Sequence, residues 1–153
     1  MNLSAHFSLG EFTRSESAKR HGVSNDPTPE HLQNIIKLCE KVLEPIRAKF
    51  GPINISSGYR SKVLNHYING ALSSQHCEGK AADLDMDGFS TVTNTEIFNY
   101  IKDSLDFDQV IWEMGDSNKP DWVHVSYNEG KNRKQALKAR KVNGKSVYSI
   151  YNK

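Results

Sequence analysis

Ser73-Ser74-Gln75-His76-Cys77-Glu78-Gly79-Lys80-Ala81-Ala82-Asp83-Leu84-Asp85-Met86 changes character at its middle. The first half is a polar loop flanked by serine and glycine. In the second half the residues alternate, so 80–86 reads as a strand with Ala82, Leu84 and Met86 toward a core and Ala81, Asp83 and Asp85 on the other face. Residues 122–127 repeat the arrangement, with Val123 and Val125 facing one way and Trp122, His124 and Ser126 the other. Strands with one apolar face need helices to cover it, and the rest of the chain supplies them.

The clearest helix begins at Thr28-Pro29-Glu30, an N-cap hydroxyl followed by a proline whose missing N–H costs nothing there. Leu32, Ile35, Ile36, Cys39, Val42, Leu43 and Ile46 form its apolar stripe, and Pro45 predicts a kink near the last turn. Thr93 and Glu96 form a capping box ahead of a second helix that buries Ile97, Tyr100, Ile101 and Leu105. A third, short helix over 61–69 is expected to end on Gly70 as its left-handed residue. Strands are expected at 53–55 and 107–113. Asn143-Gly144 predicts a type I′ hairpin between 138–142 and 146–151. Residues 1–28 read as irregular, with Phe7, Leu9 and Phe12 as anchors and Ser8 with Glu11 as a short capping box. The expected fold is α+β, one domain whose small antiparallel sheet is backed by helices.

A chain of 153 residues with 37% hydrophobic and 25% charged residues suits one soluble domain. No apolar run approaches the ~20 residues of a membrane span, and the first twenty residues carry Glu11 and Glu16 rather than a secretory apolar core. That predicts synthesis in the cytoplasm without a signal peptide. The net charge of +2 conceals an asymmetry: of 20 basic and 18 acidic residues, eight basic and no acidic ones lie between Lys131 and Lys153. The tail is therefore +8 and the preceding chain −6. Such a tail suits an anionic wall polymer, and a solvated hairpin explains it equally well. Nucleic acid is not expected as a partner, because nothing beside the charges would read bases.

His76, Asp83 and His124 are the candidate metal ligands. Two imidazole nitrogens and one carboxylate oxygen leave a tetrahedral ion an open position, the arrangement of a catalytic rather than a structural zinc site. Cys77 adjoins His76 and is a lesser alternative, while Cys39 reads as a buried thiol. Two cysteines do not make a disulfide framework. Arg60 follows Ser57-Gly58-Tyr59 at a strand end, a place from which a cation is often presented to a site.

The pattern Ser74-x-His76-x-x-Gly79-x-Ala81-x-Asp83, with Asp121-x-x-His124 and the upstream Ser57-Gly58-Tyr59-Arg60, resembles the zinc D-Ala-D-Ala carboxypeptidase family. That family includes D-Ala-D-Ala dipeptidases and the L-alanyl-D-glutamate endopeptidases of phage endolysins. The resemblance spans roughly residues 7–127 and implies a zinc peptidase acting on peptidoglycan stem peptides. It implies His76, Asp83 and His124 as zinc ligands, Asp121 as general base and acid, Arg60 as the group that polarises the scissile carbonyl or binds a substrate carboxylate, and Ser74 as a serine lining the substrate site. Glu113, closing the strand before, is the alternative base or a residue that orients a ligand. Residues 1–130 are then a zinc peptidase domain, with 131–153 a basic hairpin packed on it. A monomer reaching the wall as a phage or prophage lysis enzyme is the expectation; a zinc-containing wall-binding or virion module without turnover is the alternative.

Overall fold

The computed structural model describes residues 1–71 and 73–152; Lys153, the last of the tail cations, lies outside the described residues. Two short helices, α1 (Leu9–Thr13) and α2 (Glu16–His21), precede α3 (Pro29–Leu38), which runs through a π-helical turn (Cys39–Leu43) into α4 (Glu44–Phe50). There follow β1 (Ile55–Ser57), α5 (Lys62–Tyr67), a 3₁₀ turn (Gln75–Glu78) and β2 (Ala81–Leu84). The chain closes with α6 (Asn94–Ser104), β3 (Gln109–Glu113), β4 (Trp122–Ser126), β5 (Gln135–Val142) and β6 (Lys145–Ile150). No described helix is long and apolar enough to cross a membrane.

All six strands join one sheet in the order β1-β2-β4-β3-β5-β6. The α+β class holds, but the sheet is mixed rather than antiparallel. The strand β3 pairs in parallel with β5, Gln109 opposite Gln135 and Glu113 opposite Ala139. The tail therefore cannot be joined to β3 by a tight turn; the chain first leaves through β4, antiparallel to β3, and comes back alongside. Asn143 (φ 52°) and Gly144 (φ 78°) then make the expected I′ turn into β6.

Helices cover one face of the sheet. Ile35, Leu38, Cys39, Val42, Leu43 and Ile46 from the long helix, with Ile97, Phe98 and Ile101 from α6, pack into one cluster with Ala82, Leu84, Val110, Trp112, Val123 and Val125. Thr28 and Thr93 cap their helices as the sequence predicts, Thr93 in a full capping box with Glu96. The kink expected at Pro45 takes the form of the π-helical turn just ahead of it, because proline cannot donate to the carbonyl four residues back and its ring crowds that carbonyl.

Three expectations are corrected. Residues 1–28 are not irregular: Ser8 does cap α1 with Glu11, and Ser15 caps α2. The first strand sits two residues later than 53–55. At the end of α5 the left-handed residue is Asn69 (φ 57°), not Gly70. Glycine is needed at 70 for a different reason, since a Cβ there would fall 1.9 Å from Asn65 Oδ1.

One buried carboxylate ties the tail to the rest. Asp108, fully buried just before β3, accepts from Arg133 Nε (2.8 Å), Arg133 Nη2 (2.8 Å) and Gln75 Nε2 (2.9 Å). The Arg133 hydrogen bonds hold its pKa down at about 2. Asp108→Ala strands the Gln75 and Arg133 donors and is expected to cost about 2–3 kcal/mol in urea unfolding. Because the folded-state pKa lies below the unfolded one, the native state binds fewer protons between them. The contribution is therefore whole above about pH 4 and lost as pH falls toward about 2, a decline that the variant should lack.

Candidate metal centre

The sheet face turned away from the helices carries the site. Asp83 on β2 stands directly opposite His124 on β4, and His124 opposite Ile111 on β3. Residues opposite one another project to the same face, so register alone brings the Asp83 and His124 side chains together. His76 arrives from the 3₁₀ turn, which Ser74 caps by accepting from the His76 backbone N–H. Gly79 ends that turn at φ 75°, packed so closely on the long helix that a Cβ would lie 2.4 Å from the His31 carbonyl oxygen. A side chain there would push the turn away from α3 and move His76 with it.

Asp83 Oδ1 lies 3.2 Å from His76 Nε2 and 3.2 Å from His124 Nδ1. The ligand atoms of the three residues all lie within 4.8 Å of one another. The Nδ1–H of His76 donates to the Gly58 carbonyl at 2.7 Å, which sets the tautomer and turns the Nε2 lone pair into the cluster. Although burial opposes its charge, the two imidazoles hold the Asp83 carboxyl well below the usual range, so it is an anion. Two imidazole nitrogens, that of His76 oriented by Gly58, and one ionised carboxylate oxygen are a donor set that fits zinc.

The cluster lies in a cleft of about 970 Å³ that also takes in Arg60, Ser74, Glu113, Trp122, Lys141 and Tyr148. Arg60 donates through Nη2 to Ser74 Oγ (3.1 Å), and its backbone N–H donates to the His76 carbonyl (3.2 Å). Its Nε is buried without a partner among the described residues. Glu113 closes β3 two residues beyond Ile111 and so shares the face of His124. Burial raises its pKa to about 7, with the charge of Asp83 adding to the rise and His124 opposing it.

A family model described as peptidase M15 matches residues 5–126. The chain belongs to the peptidase M15 family. This is the zinc D-Ala-D-Ala carboxypeptidase family whose motifs the sequence resembles, and its members are zinc-dependent peptidases. No curated protein matches the chain.

In this M15 peptidase, six of the seven residues anticipated for the site line one cleft: Arg60, Ser74, His76, Asp83, Glu113 and His124. Asp121 does not line it; its side chain is exposed. The reason is local geometry. Asp121 leads straight into β4, its N–H already donating to the Glu113 carbonyl, and an odd offset from His124 in extended chain points to the other side. Its carbonyl instead accepts from the buried Asn94, which also holds the Met86 N–H. Cys77 opens on a separate cavity with Lys62, Asn65 and His66, away from the cluster. Sequence reasoning missed Tyr148 and Lys141, which enter the cleft only because β5 pairs with β3.

Proposed function

We propose that this chain is a zinc metallopeptidase that hydrolyses a peptide bond within bacterial peptidoglycan stem peptides, with His76, Asp83 and His124 holding the metal and Glu113 as the proton acceptor and donor. The observation that carries the reading is the convergence of Glu113 and Arg60 on one cleft with the three-ligand cluster. Zinc held there supplies Lewis acidity, polarising the carbonyl and making water a better nucleophile at neutral pH.

The chain's own groups do the rest. Glu113 removes a proton from the attacking water as its oxygen bonds to the carbonyl carbon, and returns that proton to the amine nitrogen as the C–N bond breaks. A carboxyl held near neutrality by burial is suited to both halves of that transfer, since it neither holds the proton too tightly nor releases it too readily. Arg60, fixed by Ser74, offers positive charge to the developing oxyanion or to a substrate carboxylate. The cleft, about 970 Å³, crosses β2, β4, β3, β5 and β6 and is open to solvent along its length. That supports an endopeptidase, of the L-Ala-D-Glu kind, over a D-Ala-D-Ala carboxypeptidase. A monomeric lysis enzyme of phage or prophage, drawn to anionic wall polymer by its tail, is the setting we infer.

Digestion of purified peptidoglycan by the zinc-loaded protein, with products identified by mass spectrometry, tests the reading. New amino termini inside the stem peptide are expected. Release of free D-alanine alone would make it a carboxypeptidase instead, and no product from wall despite stoichiometric zinc would leave the non-catalytic binding module.

A further inference from the structure

The hairpin β5–β6 lies beyond the family match, which stops at Ser126, yet it makes one side of the cleft. Register explains how. Glu113 stands opposite Ala139 on β5, and Ala139 opposite Tyr148 on β6, so Glu113, Ala139 and Tyr148 project to one face in a row across three strands. Leu137 and Lys141 on β5 and Ser146 on β6 fall on the same face by alternation, and all three line the cleft. The remaining cations of the two strands behave differently. Lys138 and Arg140 alternate to the opposite face, and Lys145 joins them there because it is paired with Val142. Lys141 is thus the one strand-borne cation of the hairpin that faces the site.

Charge around Lys141 is uncompensated. Among the described residues no carboxylate lies within ion-pair distance of its amine. Of the two carboxylates that line the cleft, Asp83 is engaged between the imidazoles and Glu113 is the proposed proton acceptor. Tyr148, opposite Ala139, shares the cleft face with Lys141 and Glu113. It is 53% exposed despite lining the cleft, so its ring is available to a ligand, and burial together with the charges of Glu113 and Asp83 keeps its phenol protonated as a donor. The wall is also held in place, because Asp108 grips Arg133 at the start of the hairpin and Gln75 beside His76 with the same carboxylate.

We propose that the C-terminal hairpin is the specificity wall of the cleft, Lys141 binding a free carboxylate of the peptide substrate and Tyr148 bracing the stretch between that carboxylate and the scissile bond. The inference rests on the peptidase reading above. It assigns the substrate class as an acidic peptide whose carboxylate lies on the β6 side of the bond.

The test compares a synthetic stem tetrapeptide carrying free side-branch carboxylates with its carboxamide counterpart. Turnover and calorimetric binding are measured on the zinc-loaded full chain and on Lys141→Met, Lys141→Glu and Tyr148→Ala. The native protein is expected to favour the acidic peptide by about fivefold, Lys141→Met to erase that preference through KM with kcat little changed, and Lys141→Glu to reverse it. Tyr148→Ala should weaken both peptides alike. A preference that survives in Lys141→Met overturns the inference. Lys141-dependent binding of the acidic peptide without cleavage keeps the inference and overturns the peptidase reading; equal binding of both peptides by the native protein overturns the inference whether or not they are cut.

Discussion

His124→Ala is expected to lower zinc affinity by more than about 100-fold and to reduce turnover of wall peptides by at least about 10³-fold. Loss of a hydrogen bond to a metal ligand already costs 10–100-fold in affinity in other sites, and His124 is itself one of the proposed donors. It lies on β4 between β2 and β3, its ring centroid 5.2 Å from that of His76 and its Nδ1 3.2 Å from Asp83. With the ring gone, one nitrogen and one carboxylate oxygen remain, too few to hold the ion against competing water. The backbone of β4 keeps its hydrogen bonds to both neighbours, so circular dichroism should stay native while metal content per chain, read by atomic absorption after gel filtration, falls. Chelation of the native protein should reproduce the loss of activity and added zinc should restore it. Full activity in His124→Ala would sink the proposed centre.

Glu113→Gln should reduce kcat by about 10²–10⁴-fold, whereas Asp121→Asn should stay within about threefold. The amide preserves the shape of Glu113 and removes the proton acceptor. Asp121 is exposed and is not among the residues that line the cleft. The pH profile carries the same assignment. The base must be ionised, so kcat/KM rises with pH through the Glu113 pKa, at or below about 7 once the charge of bound zinc is added. Stability has the opposite sense in the metal-free protein. A carboxyl whose pKa is raised from 4.5 to about 7 on folding keeps its proton in the native state where the unfolded chain has lost it. Native stability is therefore expected to fall between those values, and Glu113→Gln, which has no charge to bury, to be the more stable protein above about pH 7, by on the order of 2 kcal/mol. A strong loss in Asp121→Asn with little in Glu113→Gln would reverse the assignment.

Glu113 is the harder residue to read from sequence. A glutamate at the end of an apolar strand looks locally like a chain leaving the core. Its pKa is raised by burial and by the charge of Asp83, in a sheet where its neighbour Ala139 on β5 is more than twenty positions away in sequence. The spacing of Asp121 to His124 matches the motif of the family. The spacing says nothing of which way a residue faces once the segment is extended, and here the odd offset turns it out of the cleft.

Much else was legible because it is local. Alternation in 80–86 and 122–127 follows from the two-residue period of extended backbone, so the facing of Asp83 and His124 required no knowledge of the fold. The caps at Thr28 and Thr93 and the turn at Asn143-Gly144 answer to backbone groups within a few residues. Pairing is another matter. The free energy of one register over another comes from contacts between distant segments, and neither composition nor period specifies it. Hence the ligand residues and their faces could be read from the chain, while their convergence with His76, the parallel seating of the tail on β3, the placing of Glu113 in the cleft lining and the arrival of Lys141 and Tyr148 there arise only when the strands are laid side by side.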